Sequence, residues 1–186
     1  MLTAAEVDAA RRRAREYLER AGIVLTPSEA ASIEVADFGL SELEQTGLAI
    51  VTYVNTERCC AKELVLFPRQ TCPQHRHPVV GGDLGKEETF RCRMGSAFLY
   101  VEGEISRSPR CRPPAGREAW YTVWHEVSLG PGEQYTIAPG TWHWFQAGDD
   151  GAVISEFSTH STDEHDVFSD PSIARETKVA GSTEVQ

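Results

Sequence analysis

From Leu48 onward the chain is a succession of short runs, LAIVTYV, AKELVLF, ETFRCRMGSAFLYVEG, WYTVWHEVSL, EQYTIAP, WHWFQAG and GAVISEFST, parted by turns rich in Gly, Pro and Asp. Alternating apolar patterning of this kind belongs to half-buried strands, and many short strands at such spacing close into a sandwich or a barrel. The first 46 residues read differently. Thr3 caps a helix running to about Ala21, with Val7, Ala10, Ala14 and Leu18 on one face, and Gly22 ends it. Arg11, Arg12, Arg13 and Arg15 fall on a solvated face beside Glu16 and Glu19. SEAASIEVAD, after Pro27, suggests a second, shorter helix, and Gly39 to Thr46 a linker or short helix before Gly47 closes the turn into the first strand. The expected organisation is a helical extension over 1–46, a β domain over 47–170 and a polar tail over 171–186, disordered after Arg175. SRSPRCRPPAGREAW is expected to be an exposed loop, a dimer or lid element.

Within the strands, His75, His77, Glu88 and His143 form a candidate metal site. His75 and His77 are two apart, so in an extended strand both imidazoles point to one face. The intervening PVVGGDLGK is turn chemistry, able to reverse the chain and return Glu88 beside the histidines. From Lys86, the residues Lys86, Glu88, Phe90 and Cys92 share one face, and Glu87, Thr89, Arg91 and Arg93 the other. A carboxylate beside Phe90 and Cys92 points inward, where a charge needs a partner or a metal; Glu87, on the charged face, is the weaker candidate. His143 stands between Trp142 and Trp144 after the Pro139-Gly140 turn. Imidazole nitrogens with one carboxylate oxygen suit manganese, iron, cobalt, nickel or zinc as a divalent ion.

These residues resemble the two motifs of the cupin superfamily. Glu88, six residues and Gly95 match the second half of the first motif, and Gly140, Thr141, Trp142 and His143 match the end of the second. Three departures are visible. The gap from His77 to Glu88 is long, which reads as a lengthened hairpin loop; Pro139 abuts Gly140; and Ala147 stands where many cupins carry Asn. More narrowly, TCPQHRHP, GKEETFRCRMG, LYVEGE and APGTWHWFQAG resemble the cupin-type D-lyxose isomerases over about Glu44 to Asp166. The resemblance implies an all-β cupin barrel (a double-stranded β-helix or jelly roll) behind an N-terminal helical extension. It also implies a divalent ion, typically manganese, on His75, His77, Glu88 and His143. The implied activity interconverts D-lyxose with D-xylulose, and D-mannose with D-fructose.

Such an isomerase moves a proton between C2 and C1 of an open-chain sugar through an enediolate, which requires an acid/base group and stabilisation of the oxyanion. A divalent ion chelated by O1 and O2 would supply the latter. Glu156, on the strand face of Ile154 and Ser158, is the first choice of base; the alternative is an exposed strand glutamate. Lys86 is a candidate to bind a hydroxyl or steady the enediolate. Gln74, Tyr100 and Asp166 are further candidates for sugar contact, while His125, His160 and His165 are expected at the surface, with His165-Asp166 near the pocket mouth.

At 186 residues one domain is the natural count, and a net charge of -10 argues against nucleic acid and makes a multiply phosphorylated substrate less fitting. No stretch approaches membrane-spanning length, and the N-terminus lacks the apolar core of a signal peptide. The five cysteines, Cys59, Cys60, Cys72, Cys92 and Cys111, include no CxxC pair and read as reduced thiols in the cytoplasm. Cys72 and Cys92 are expected as small buried hydrophobes. A homodimer is expected from the way cupin edge strands pair. The rival readings are an Fe(II)-dependent cupin dioxygenase on the same ligands, a noncatalytic sugar-binding cupin, and a cupin phosphoglucose isomerase.

Overall fold

The structure is a computed structural model and describes residues 1–82 and 84–180. Among the described residues, two α-helices, α1 (Ala4–Arg20) and α2 (Pro27–Ala31), precede nine strands. These are β1 (Glu34–Ala36), β2 (Leu48–Asn55), β3 (Cys60–Leu66), β4 (Thr71–Arg76), β5 (Glu88–Val101), β6 (His125–Leu129), β7 (Gln134–Ile137), β8 (His143–Ser158) and β9 (Val167–Phe168).

All nine strands belong to one antiparallel sheet that curls until its halves face each other, with β5 and β8 shared by both. One half runs β1, β2, β3, β8, β5, β7, and the other β9, β4, β8, β5, β6. The crossing point is visible in the register. Gly95 pairs with Ala152 and Ala97 with Ala147, so β8 skips residues 148–151 while β5 advances two. Only glycine fits there. Gly95 has φ +74°, and a Cβ on it would lie 2.0 Å from the Gly151 carbonyl oxygen. WHWFQAG and GAVISEFST, two runs by pattern, are therefore the two halves of one bent strand.

Three packed layers result. Between the halves lies the interior core, with Ile50, Leu64, Leu66, Phe90, Leu99, Phe145 and Ile154. Cys72 and Cys92 are buried within it. Outside the first half, the apolar stripe of α1 (Val7, Ala10, Ala14, Leu18) packs on Val65, Phe67 and Val153. The helix starts where the sequence says, with Thr3 and Glu6 forming a reciprocal capping box. Outside the second half, Cys111 and Tyr121 pack on Phe98, Tyr100 and Trp144.

Three expectations are corrected, and one is refined. SEAASIEVAD is helical only to Ala31, and Glu34–Ala36 instead extends the sheet as β1. WYTVWHEVSL becomes strand only at His125, because its aromatic start covers the outer sheet face, with the Trp144 Nε1–H donating to Val123 O. The Pro- and Arg-rich segment is the expected, mostly exposed loop, anchored where the Cys111 N–H donates to the Tyr100 hydroxyl. Finally, residues 171–180 are no loose tail. Ile173 packs on the interior core, Ala174 N–H donates to Phe38 O, and Val179 bridges Leu2. The remainder of the expected tail, 181–186, lies outside the described residues, as does Asp83 in the β4–β5 connection.

Candidate active site

Register decides which side chains meet at one end of the barrel. In the second half, Val101, His143, His75 and Phe168 form one cross-strand row. Between Cys72, opposite Phe145, and His75, opposite His143, β4 carries one residue more than β8. This bulge turns both Cys72 and His75 inward and throws Gln74 out. In the first half, Lys62, Glu156 and Phe90 form a row facing them, with Glu88 and Ser158 in the next.

One ring nitrogen from each of His75, His77 and His143 lies within 4.8 Å of the others. The rings are fixed from behind. His75 Nδ1 meets Pro73 O at 2.8 Å, His143 Nδ1 meets Thr141 O at 3.0 Å, and His77 Nδ1 meets Asp166 Oδ1 at 2.5 Å. A carbonyl can only accept, so in His75 and His143 the Nδ1 carries the proton and the neutral ring offers Nε2 as a lone pair. His143 Nε2 is buried, lacks a hydrogen-bond partner, and lies 2.9 Å from Glu88 Oε1. Two acceptors at that distance repel unless a proton or a cation stands between them. His77 Nε2 approaches the same oxygen at 3.2 Å.

The electrostatics favour a cation. Burial, together with the neighbouring His143 and His77 rings, pushes His75 well below the usual imidazole range. Burial opposes the charge on Glu88, yet Lys86 and His77 hold its carboxyl well below the usual range. Burial opposes a charge on His77, but Glu88 and the Asp166 hydrogen bond raise it to about 9, so a divalent ion would take the place of a proton there. Three imidazoles beside an ionised carboxylate are the donor set of a borderline divalent ion, and His75, His77, Glu88 and His143 fit one.

Beside this cluster lies a charged network. Lys86 Nζ reaches Glu88 Oε2 at 2.9 Å, Glu156 Oε1 at 3.0 Å and Asp163 Oδ1 at 3.3 Å. Lys62 Nζ reaches Asp163 Oδ2 at 2.5 Å, Ser161 Oγ at 2.8 Å and Glu156 Oε1 at 3.9 Å. Burial works against both ammonium groups, but Glu156 and its acidic neighbours keep Lys86 well above, and Lys62 above, the ordinary lysine value. Arg175 joins from the C-terminal segment, 3.6 Å from Asp163 and paired with Glu34. The pocket between the sheet halves is lined by Lys62, Lys86, Glu156, Asp163 and Arg175 together with Phe38, Ile50, Leu64 and Phe168.

The structure thus brings together His75, His77, Glu88, His143, Lys86, Glu156 and Asp166, the last as the partner of His77. It does not bring in two others. Gln74 accepts from Thr122 N–H at 2.6 Å and donates to Thr122 Oγ1 at 2.9 Å, tying down the segment over the outer face. Tyr100 is in the outer aromatic layer, stacked on Trp144 at 4.0 Å with its hydroxyl donating to Glu126. It points outward because its inner neighbours in register are Leu99 and Val101.

Three site residues escaped the sequence reading. Lys62 was legible, since it alternates with Leu64 and Leu66 on the inner face of β3. Asp163 lies in a single 3-10 turn and Arg175 in an irregular segment, and neither position carries a period that could be read.

With the geometry in place, comparison with known proteins decides the family. A sequence profile described as D-lyxose isomerase matches residues 29–186. The chain belongs to the D-lyxose isomerase family. It is 61% identical over 175 residues to the D-lyxose/D-mannose isomerase of Thermosediminibacter oceani, covering 94% of this chain and 97% of that protein. With the D-lyxose ketol-isomerase of Cohnella laeviribosi it shares 62% over 166 residues, 89% of this chain and 91% of the relative. Solved structures extend the D-lyxose isomerase fold further. The ligand-free L-ribose isomerase of Cellulomonas parahominis aligns with a TM-score of 0.80 at 18% identity, over 96% of this chain and 98% of that one. The L-ribose isomerase of Acinetobacter sp. DL28 aligns with a TM-score of 0.80 at 17% identity, with the same coverage. At that identity the likeness establishes the cupin fold alone.

Proposed function

We propose that this chain is a metal-dependent aldose–ketose isomerase of free sugars, interconverting D-lyxose with D-xylulose and D-mannose with D-fructose. Family membership and the named activities of relatives near 60% identity support the reaction class. The observation that carries the assignment to this pocket is the position of Glu156. Its carboxylate is buried, hydrogen-bonded by Lys86 at 3.0 Å, and shares that ammonium with Glu88.

In this reading Glu156 takes the proton from C2 of the open-chain aldose and returns it to C1, while the hydroxyl proton on O2 passes to O1. Lys86 fixes the carboxylate on the side facing Glu88, so one oxygen is held while the other is available. Asp166 holds the His77 ring, and Pro73 O and Thr141 O hold the other two, so the donor set is in place before substrate arrives. When bound, a divalent ion, manganese first and cobalt, iron, nickel or zinc otherwise, supplies Lewis-acid stabilisation of negative charge on the C1 and C2 oxygens. Burial of Glu156, Lys86, Glu88 and the three histidines limits water at the reacting carbons.

Free rather than phosphorylated sugars follow from the charge count. Lys62, Lys86 and Arg175 are each already paired, and they face the carboxylates of Glu88, Glu156, Asp163 and Asp166. None of these three side chains is free to clamp a phosphate. We place the enzyme in the cytoplasm as a homodimer; the five free thiols support the compartment. The test is incubation of metal-loaded protein with D-lyxose, D-mannose and their phosphates, with and without oxygen, scoring ketose. Anaerobic conversion of the free sugars is expected. Oxygen-dependent turnover, or sugar binding without conversion, would contradict the proposal.

A further inference from the structure

The lining of the pocket changes character across the sheet. From β5 outward the inner side chains are Glu88, then Glu156 on β8, Lys62 on β3 and Ile50 on β2, with Phe38 beyond β1. Acidic and basic groups surround the end where the metal ligands and Glu156 converge. Leu48, Ile50, Leu64 and Phe38 form the opposite, apolar end, where Arg175 enters from the C-terminal segment already paired with Glu34 and 3.6 Å from Asp163.

Phe38 is held in place unusually firmly. Its φ is +54°, a conformation that bulky side chains rarely adopt and that persists only where the surroundings impose it. The buried Asp37 carboxylate imposes it, accepting from Gly39 N–H at 3.0 Å and Ser41 N–H at 3.1 Å. From the other side, Asp37 N–H donates to Thr177 Oγ1 at 2.9 Å, and Ala174 N–H donates to Phe38 O at 3.0 Å. The ring meets Phe168 edge-on at 5.6 Å between centroids, and Phe168 in turn lies 5.6 Å from His75. A strained residue clamped from two chain segments presents a fixed aromatic face to the end of the pocket.

We propose that Phe38 is the end stop of the sugar pocket and sets the length of sugar the enzyme accepts. The inference rests on the isomerase reading above. With C1 and C2 at the metal ligands and Glu156, the far end of the open chain runs across β8 and β3 toward β2 and Phe38. One more CHOH unit must either press on the clamped ring or bury a hydroxyl against apolar carbon beside an arginine already engaged by carboxylates.

D-lyxose and D-mannose share their configuration at C2, C3 and C4 and differ by one carbon, so they report length alone. The readout is the ratio of kcat/KM for D-mannose to that for D-lyxose. Phe38→Leu is expected to raise it by about 5-fold or more, and Phe38→Gly, which also removes the backbone constraint, by about 10-fold or more. A merely structural role would lower both sugars together and leave the ratio fixed. A ratio unchanged within about twofold in a folded variant, judged against ordinary discrimination of one carbon unit, would overturn the proposal. The unaltered enzyme gives a second measurement that needs no variant. A heptose with the mannose configuration should turn over at least about tenfold less efficiently than D-lyxose, and equal efficiency would overturn the end stop. Conversion of neither D-lyxose nor D-mannose would instead sink the isomerase reading itself, and the end stop with it.

Discussion

At Glu156 the proposed reaction depends on one oxygen atom. Glu156→Gln preserves shape and most of the contacts, but an amide does not accept the C2 proton. Turnover is expected to fall by about 10²- to 10⁴-fold while metal content stays level, measured by steady-state kinetics beside elemental analysis. Asp166→Ala acts differently, because it releases the His77 ring from behind. It is expected to weaken metal affinity by about 10- to 100-fold, read by titration of the stripped protein. At this scale the sequence was informative wherever alternation placed a polar group on an apolar face, as with Glu88 beside Phe90 and Glu156 beside Ile154. It misled at Gln74 because the bulge after Cys72 breaks the alternation, and at Tyr100 because a polar aromatic can equally face an outer core.

Among the elements, β5 and β8 bear the architecture, since each contributes to both sheet halves. Their crossing depends on close backbone approach at Gly95, where a Cβ would sit 2.0 Å from the Gly151 carbonyl oxygen. Gly95→Ala is therefore expected to destabilise the fold by about 3 kcal/mol or more, through overpacking added to backbone strain. Gly22 has a similar φ of +75° but open space around it, and Gly22→Ala is expected to cost only about 1 kcal/mol. Denaturant unfolding of the two variants separates the terms, and equal losses would show that the clash at Gly95 relaxes freely. The pattern of turns and strands was legible, as were the first helix and its cap. Short β1 was not, because three residues carry too little periodicity to outweigh the helical look of SEAASIEVAD.

As a whole, the molecule is a barrel whose open edge is closed by the two ends of its own chain. Residues 171–180 supply Ile173 to the interior core, Arg175 to the pocket and a partner for Leu2. Truncation after Asp170 is expected to lower the thermal midpoint by roughly 5 °C or more and to abolish most turnover. An unaltered midpoint would mean that these contacts contribute nothing to stability. Their polar composition concealed this role, because a segment that only straps an edge needs few apolar anchors.

The central claim is that His75, His77, Glu88 and His143 hold one divalent ion on which conversion of the sugar depends. Metal-stripped protein, titrated with manganese while ketose formation from D-lyxose is followed, tests it most directly. Activity should rise in proportion to bound ion and level off at one ion per chain, with the His75→Ala variant gaining neither. Full conversion by the stripped protein, or saturation unaltered by loss of His75, would contradict it.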